Sequence, residues 1–237
     1  MEKIKKEKKD LRRERKRRRL EANRRFIIEI AERMFSERGY SSTSMDDIAA
    51  EAQFSKATIY RYFSSKGKLF LEIILNSMEE LKLKFQKIIW ERATADRRLA
   101  MVIRTMIEHL KEKENISRVF FVDKLLREKL HFVVTANRRT VPVTEKEFSR
   151  KIKEKRRELL SAMEEIIRSG VRSGEFRPLK PKEAAVVIES LVYGFFYGRH
   201  WHWKDATYDL EKGIDIIHKF LLHGMKKREI EHKGVRR

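Results

Sequence analysis

The stretch Ser41 to Leu69, SSTSMDDIAAEAQFSKATIYRYFSSKGKL, constrains this chain more tightly than any other. Its apolar residues Met45, Ile48 and Ala49 share one face of a helix of about two turns. Thr43 or Ser44 starts that helix; each has an aspartate three residues on, a capping-box-like start in which Asp replaces Glu. A four-residue break follows, Ala52-Gln53-Phe54-Ser55. Ser55 is placed to cap a second short helix, Lys56 to Phe63. That helix turns Ile59 and Phe63 inward and leaves Lys56, Ala57, Thr58, Tyr60, Arg61 and Tyr62 outside.

Two short helices about a tight turn, the second with a basic and aromatic outer face, form the pattern of a helix-turn-helix DNA reader. Small side chains at Ala57 and Thr58 allow close approach to base edges. Lys56 and Arg61 have the reach and the donors for guanine or phosphate. Hydroxyls on Thr43, Ser44, Ser55 and Tyr62, with Lys66 at the next helix start, suit phosphate oxygens, which fix register rather than sequence. Singly, each is an ordinary cap or solvated charge. In this order, the set is hard to obtain by chance.

The run Ala31-x-x-x-Phe35-x-x-x-Gly39-Tyr40-x-x-Thr43-Ser44-Met45-x-x-Ile48-Ala49-x-x-Ala52, then Ser55-Lys56-x-Thr58-Ile59-Tyr60-x-Tyr62-Phe63-x-x-Lys66-x-x-Leu69, closely resembles the N-terminal domain of TetR-family transcriptional repressors. The match covers roughly residues 24 to 72. The resemblance implies that Lys56, Ala57, Tyr60 and Arg61 face bases, and that Thr43, Ser44, Ser55, Thr58, Tyr62 and Lys66 hold phosphates. Two positions depart from the family. Gln53 stands where members carry glycine, at a turn that can need a positive φ, costing on the order of 1 kcal/mol. Gly67 and Lys68 follow Lys66, where an acid is usual.

Before this stretch, Met1 to Arg25 hold fourteen Lys or Arg against five acids, with only Ile4, Leu11 and Leu20 as large apolar residues. Alone, such a segment would be disordered or a frayed helix. Beside a helix-turn-helix it reads as an arm lying along or within the minor groove. Arg24 to Arg38 then forms an amphipathic helix ended by Gly39, with Ile27, Ile28, Ala31, Met34 and Phe35 toward the core. The expected headpiece core is Ile27, Ala31, Phe35, Tyr40, Met45, Ile48, Ile59 and Phe63.

Past the headpiece the pattern stays helical. A long helix is predicted from Lys66 to Trp90, roughly 35 Å in length; in the resembled family the matching helix transmits ligand binding. Further helices are predicted at about Asp96–Lys113, Ile116–Leu130, Thr144–Ser169, Pro181–Trp203 and Thr207–Lys227. An irregular connection is expected from His131 to Val143. Gly170-x-x-x-Gly174-x-Phe176 resembles, more loosely, the C-terminal domains of the same family.

The helix from Pro181 is apolar nearly all the way round, so it must be covered on every side. A homodimer is expected, since paired half-sites need a two-fold protein. Ala184, Ile188, Leu191, Phe195, Ile216 and Phe220 are its candidate interface. Trp90, Met101, Met106, Phe120, Phe121, Phe195 and Trp201 could line an apolar cavity for a hydrophobic or amphipathic effector, long-chain acyl-CoA among the possibilities; each taken singly reads more readily as core.

The formal net charge of +21 favours polyanionic partners. The absence of cysteine removes disulfides and zinc–thiolate sites and fits a reducing cytoplasm. No apolar run reaches the roughly 18 residues that span a bilayer, so no membrane partner is expected. His200 with His202, and His218 with His223, have poor spacing for chelation. No phosphate loop or nucleophile–base set can be assembled, so neither an enzyme nor a cofactor is expected. The reading is an all-α protein in three parts: a basic arm at 1–23, a three-helix helix-turn-helix domain at 24–65 and a ligand-binding and dimerisation domain at 66–237. Its function is that of a cytoplasmic regulator released from a palindromic double-stranded operator by a small molecule. The rivals are a nucleoid or RNA-binding structural protein without sequence preference, and a small-molecule binding or modifying helical protein whose headpiece is vestigial.

Overall fold

The computed structural model describes residues 2–114, 116, 143–202 and 210–226. Among them are eight helices: α1 (Glu2–Arg38), α2 (Met45–Glu51), α3 (Lys56–Tyr62), α4 (Lys66–Ile89), α5 (Ala95–Glu112), α6 (Val143–Ser173), α7 (Pro181–His202) and α8 (Leu210–Met225). The chain divides into two compact units, Met1–Asn76 with Glu114–Ser149, and Ser77–Lys113 with Arg150–Arg237.

In the first unit, the expected arm and the amphipathic helix are one element. The basic segment is neither a frayed tail nor an extended arm: α1 runs unbroken from Glu2 to Arg38. Lys, Arg, Glu and Leu are all good helix formers, and no glycine or proline interrupts them before Gly39. Glu14 adds i,i+3 and i,i+4 pairs to Arg17 at 3.2 Å and Arg18 at 3.0 Å. Gly39 ends the helix with φ +86°, its N–H donating to the Phe35 carbonyl at 3.0 Å.

The headpiece core contains all the expected residues, with Tyr40 half-buried, and extends to Met34, Ala49, Leu69, Phe70 and Ile73. Phe35, Tyr40 and Phe70 form an aromatic trio with ring centroids 5.0–5.8 Å apart. Because Leu69, Phe70 and Ile73 complete this core, the first unit takes in the start of α4 and passes the expected boundary at residue 65.

The second unit packs the rest of α4 with α5, most of α6, α7 and α8. Its core includes Phe85, Leu99, Ile103, Ile107, Met163, Ile166, Val192 and Phe196. Arg98 ties three helices, donating to the Ile89 carbonyl at 3.0 Å and to Ser169 Oγ at 2.9 Å. The close approach of Phe176 to α6 requires Gly170: a Cβ there would lie 2.3 Å from the Phe176 ring and 2.8 Å from the Ala95 methyl. On the surface Lys82 and Lys155 each bridge Glu79 and Glu158 between α4 and α6. These contacts hold both lysines above their ordinary pKa and both carboxyls below theirs, through hydrogen bonds first.

α6 runs past the expected end at Ser169 to Ser173, because Gly170 is helical and the turn waits for Gly174, at φ +79°. The helix predicted at Ile116–Leu130 and the connection predicted at His131–Val143 lie outside the described residues, apart from Ile116, which joins the headpiece core, and Val143, where α6 already begins.

Candidate nucleic-acid interface

The helix-turn-helix is built from its caps outward. Ser44, not Thr43, caps α2: its Oγ accepts from the Asp47 N–H at 3.1 Å, while Asp47 Oδ2 accepts from the Ser44 N–H at 2.8 Å. Hydrogen bonds from the Ser44 hydroxyl and N–H hold the Asp47 carboxyl below its ordinary pKa. Ser55 caps α3 through its Oγ, which accepts from the Thr58 N–H at 3.2 Å; the two hydroxyls lie 2.8 Å apart. Between the helices Gln53 takes φ +56°, the left-handed conformation that glycine adopts without strain.

With Ile59 and Phe63 buried, α3 exposes Lys56, Ala57, Tyr60 and Arg61, and half-exposes Thr58 and Tyr62. The Arg61 guanidinium lies 5.8 Å from the Tyr62 ring centre. Lys56 is the tethered member: its ammonium donates to Asp46 Oδ2 at 2.7 Å, a bond that raises the lysine pKa. Tyr62 is anchored from behind, its oxygen accepting from Asn23 Nδ2 of α1 at 3.1 Å. Next to it, Arg24 pairs with Glu72 at 2.9 Å and lies 4.7 Å from the Phe63 ring centre.

Two of the expected phosphate ligands face inward. Thr43 is only 1% exposed, and its hydroxyl donates to the Gly39 carbonyl at 2.9 Å. Lys66 donates to the Tyr40 and Thr43 carbonyls at 2.9 Å each and sits 4.4 Å from the Tyr40 ring centre. Both brace the loop leading into α2. Carbonyls with no helical partner need donors, and these two side chains are the nearest supply.

Of the residues assigned to a ligand, the described ones are Trp90, Met101, Met106 and Phe195, and Trp90 stands apart from the other three. Trp90 is 85% exposed at the end of α4, a correction to its place in an apolar cavity: α4 stops at Ile89, and the Thr94-capped start of α5 follows at once. Met106 is core, whereas Met101 and Phe195 are half-buried against it. Phe120 and Phe121, and the Trp201 side chain, lie outside the described residues. Sequence reading missed His109, buried on α5 with Nε2 2.8 Å from Ser77 Oγ. Burial above all, with Lys84 nearby, lowers its pKa to about 4. It also passed over Glu189, buried on α7 and clamped by two donors of the Arg156 guanidinium.

The interface set divides by helical phase. On α7, Ala185, Ile188, Val192 and Phe196 are buried, so Ile188 belongs to the core and not to an outer surface. The opposite face shows Val187, 54% exposed and unforeseen, and Leu191; Ala184 and Phe195 lie half-buried between. On α8, Ile216 and Phe220 are 63% and 73% exposed. Val187, Leu191 and Phe220 line a shallow apolar groove of roughly 360 Å³. His218 Nε2 lies 3.4 Å from Asp96; the His200, His202 and His223 side chains lie outside the described residues. Among the described residues, no helix is long and apolar enough to cross a membrane.

A doubly capped helix pair on a small apolar core, exposing a basic and aromatic row, defines a helix-turn-helix DNA-binding protein in an all-α fold. Residues 27–73 match the family model described as "Bacterial regulatory proteins, tetR family". That match covers 47 of the chain's 237 residues, the headpiece with the start of α4. The chain is 25% identical to the uncharacterized HTH-type transcriptional regulator YhgD of Bacillus subtilis, over 84% of this chain and 95% of that one. It is 24% identical to the fatty acid metabolism regulator protein of the same organism, over 84% and 93%. The fold is shared with the crystal structure of the transcriptional regulator FadR from Bacillus subtilis in complex with stearoyl-CoA, at TM-score 0.65, 24% identity and coverage of 84% and 97%.

Proposed function

We propose that the protein is a ligand-responsive transcriptional repressor that binds a palindromic operator as a homodimer and is released from it by an apolar or amphipathic small molecule. The observation that carries this reading is the outward row Lys56, Ala57, Tyr60 and Arg61 on α3, held by the Ser55 cap and the buried Ile59. Lys56 and Arg61 supply donors for guanine edges or phosphate, Ala57 admits close approach, and Tyr60 offers a ring to a base edge. Ser44, Ser55, Thr58 and Tyr62 surround that row with phosphate ligands, while Thr43 and Lys66 hold the frame.

The exposed α7–α8 face, centred on Val187, Leu191, Ile216 and Phe220, is the surface that a second copy covers. An effector that favours one arrangement of the second-unit helices moves the paired heads off the roughly 34 Å spacing of successive major grooves. The coupling required is about 1–3 kcal/mol. Kinship with a fatty acid metabolism regulator, and a fold shared with a regulator bound to stearoyl-CoA, support a long-chain acyl group as the effector. The protein acts in the cytoplasm and carries no catalytic activity of its own.

The test is selection of a binding site from random duplexes, followed by titration in excess random DNA at 150 mM salt. Retention of one operator supports the reading; loss of all preference would make the protein a general nucleic-acid binder. On that operator, Lys56→Ala or Tyr60→Ala lowers specific affinity by about 1–3 kcal/mol without changing the melting temperature. Long-chain acyl-CoA is then titrated against the bound complex, and undiminished binding eliminates that effector.

A further inference from the structure

Among the described side chains in the N-terminal half of α1, all but Glu14 are exposed. Between Glu2 and Leu20 it carries twelve Lys or Arg against four acids. Lys9, Arg12, Arg13, Arg15, Lys16, Arg17, Arg18 and Arg19 are all exposed, and at 100° per residue the cluster from Arg12 to Arg19 encircles the helix. Like charges also stack at i,i+4, as in Arg12 with Lys16, Arg13 with Arg17 and Arg15 with Arg19, which disfavours the helix in isolation. A polyanion on more than one side relieves that repulsion.

The root of this segment is fixed at the reading face. Asn23 bonds Tyr62, the last residue of α3, and Arg24 holds Glu72 and the Phe63 ring. The extension thus leaves the domain beside the helix that reads DNA, as a helix of roughly 28 Å, or about eight base pairs of duplex.

We propose that Glu2–Leu20 is a second DNA-binding element, a helix that grips the phosphates of duplex flanking the operator half-site, outside the sequence α3 reads. This rests on the DNA-binding reading above. A helix 10–12 Å across does not enter a minor groove about 6 Å wide, so an arm threaded there is ruled out, whereas the major groove admits a helix with phosphates on both sides. An anionic membrane surface needs a broad apolar face, which a segment with Ile4, Leu11 and Leu20 as its apolar residues among twelve cations lacks. The major groove of RNA duplex is too narrow.

The test uses the full chain, a variant lacking Met1–Leu20, and Leu11→Pro, which keeps every charge but interrupts the helix. All three retain Asn23, Arg24 and the headpiece core, and thermal melting establishes that each is folded. Affinities are compared for a minimal operator duplex and for the same duplex with ten random base pairs on each end. The full chain gains about ten-fold or more from the flanks, the truncated chain gains less than about two-fold, and its salt slope falls by about 2 or more. Leu11→Pro loses most of the flank gain. The proposal is overturned by an equal flank gain in the truncated chain, by a full gain in Leu11→Pro, or by tighter binding of the full chain to anionic vesicles or duplex RNA of matched length. Discrimination between operator and random duplexes of one fixed length is scored separately, so loss of the reading function and absence of the flank grip give different results.

Discussion

Lys56 and Asp46 face each other across the helix-turn-helix, and this exposed pair at 2.7 Å stabilises the fold little. It does place a carboxylate beside the Lys56 ammonium on the proposed reading face. Gln53 is the one non-glycine residue among those described that sits at positive φ. Gln53→Gly should therefore raise stability by about 1 kcal/mol, with part of the gain offset by the freer unfolded chain. Denaturant unfolding measures it, and a drop in stability would show that contacts of the glutamine outweigh its backbone strain. The family resemblance pointed to this strain, because members carry glycine where Gln53 stands. It did not point to the inward hydroxyl of Thr43. Thr43 and Ser44 are neighbours, both can cap, and only the path of the loop over Gly39 decides which one turns in.

At the scale of elements, α4 and α5 are joined inside the second unit by Ser77 and His109. A histidine whose pKa is near 4 when folded and near 6.5 when unfolded binds its proton more readily in the unfolded chain. Stability is therefore lost as pH falls from about 6.5 toward 4, by at most about 1.4 kcal/mol per unit. His109→Gln should flatten that window in pH-dependent denaturation, and an unchanged slope would assign the loss to other groups. The lowered carboxyls of Glu79 and Glu158 act in a separate range, since their contribution goes only below the ordinary carboxylate pKa. Helix positions along α4 and α5 were legible from their apolar stripes. The phase of α7 was not, because a helix apolar on every side has no periodic contrast to show which face turns inward, and Ile188 and Val187 exchange roles on a rotation of one residue. If the outer face is the dimer surface, Val187→Glu or Phe220→Glu gives a monomer by sedimentation with an unaltered circular dichroism spectrum. A stable dimer in both variants would move the interface elsewhere.

The whole molecule carries +21, and this excess charge is concentrated at its N-terminus. The DNA-binding class was legible because the motif residues are contiguous in sequence. The proposed ligand site was not, because its candidate side chains come from distant segments whose meeting depends on tertiary packing. Trp90 shows the difficulty: a tryptophan at the end of an apolar stripe reads as lining, yet helix α4 ends just before it. A chain so positive is attracted to any stretch of chromosome, and its encounters are overwhelmingly with wrong sites. The carboxylate of Asp46 beside the Lys56 ammonium is a negative charge on the proposed reading face, and it opposes phosphate at every site alike. Asp46→Asn should then tighten binding to random duplex and to operator alike, and a protein so altered would linger where it now passes on.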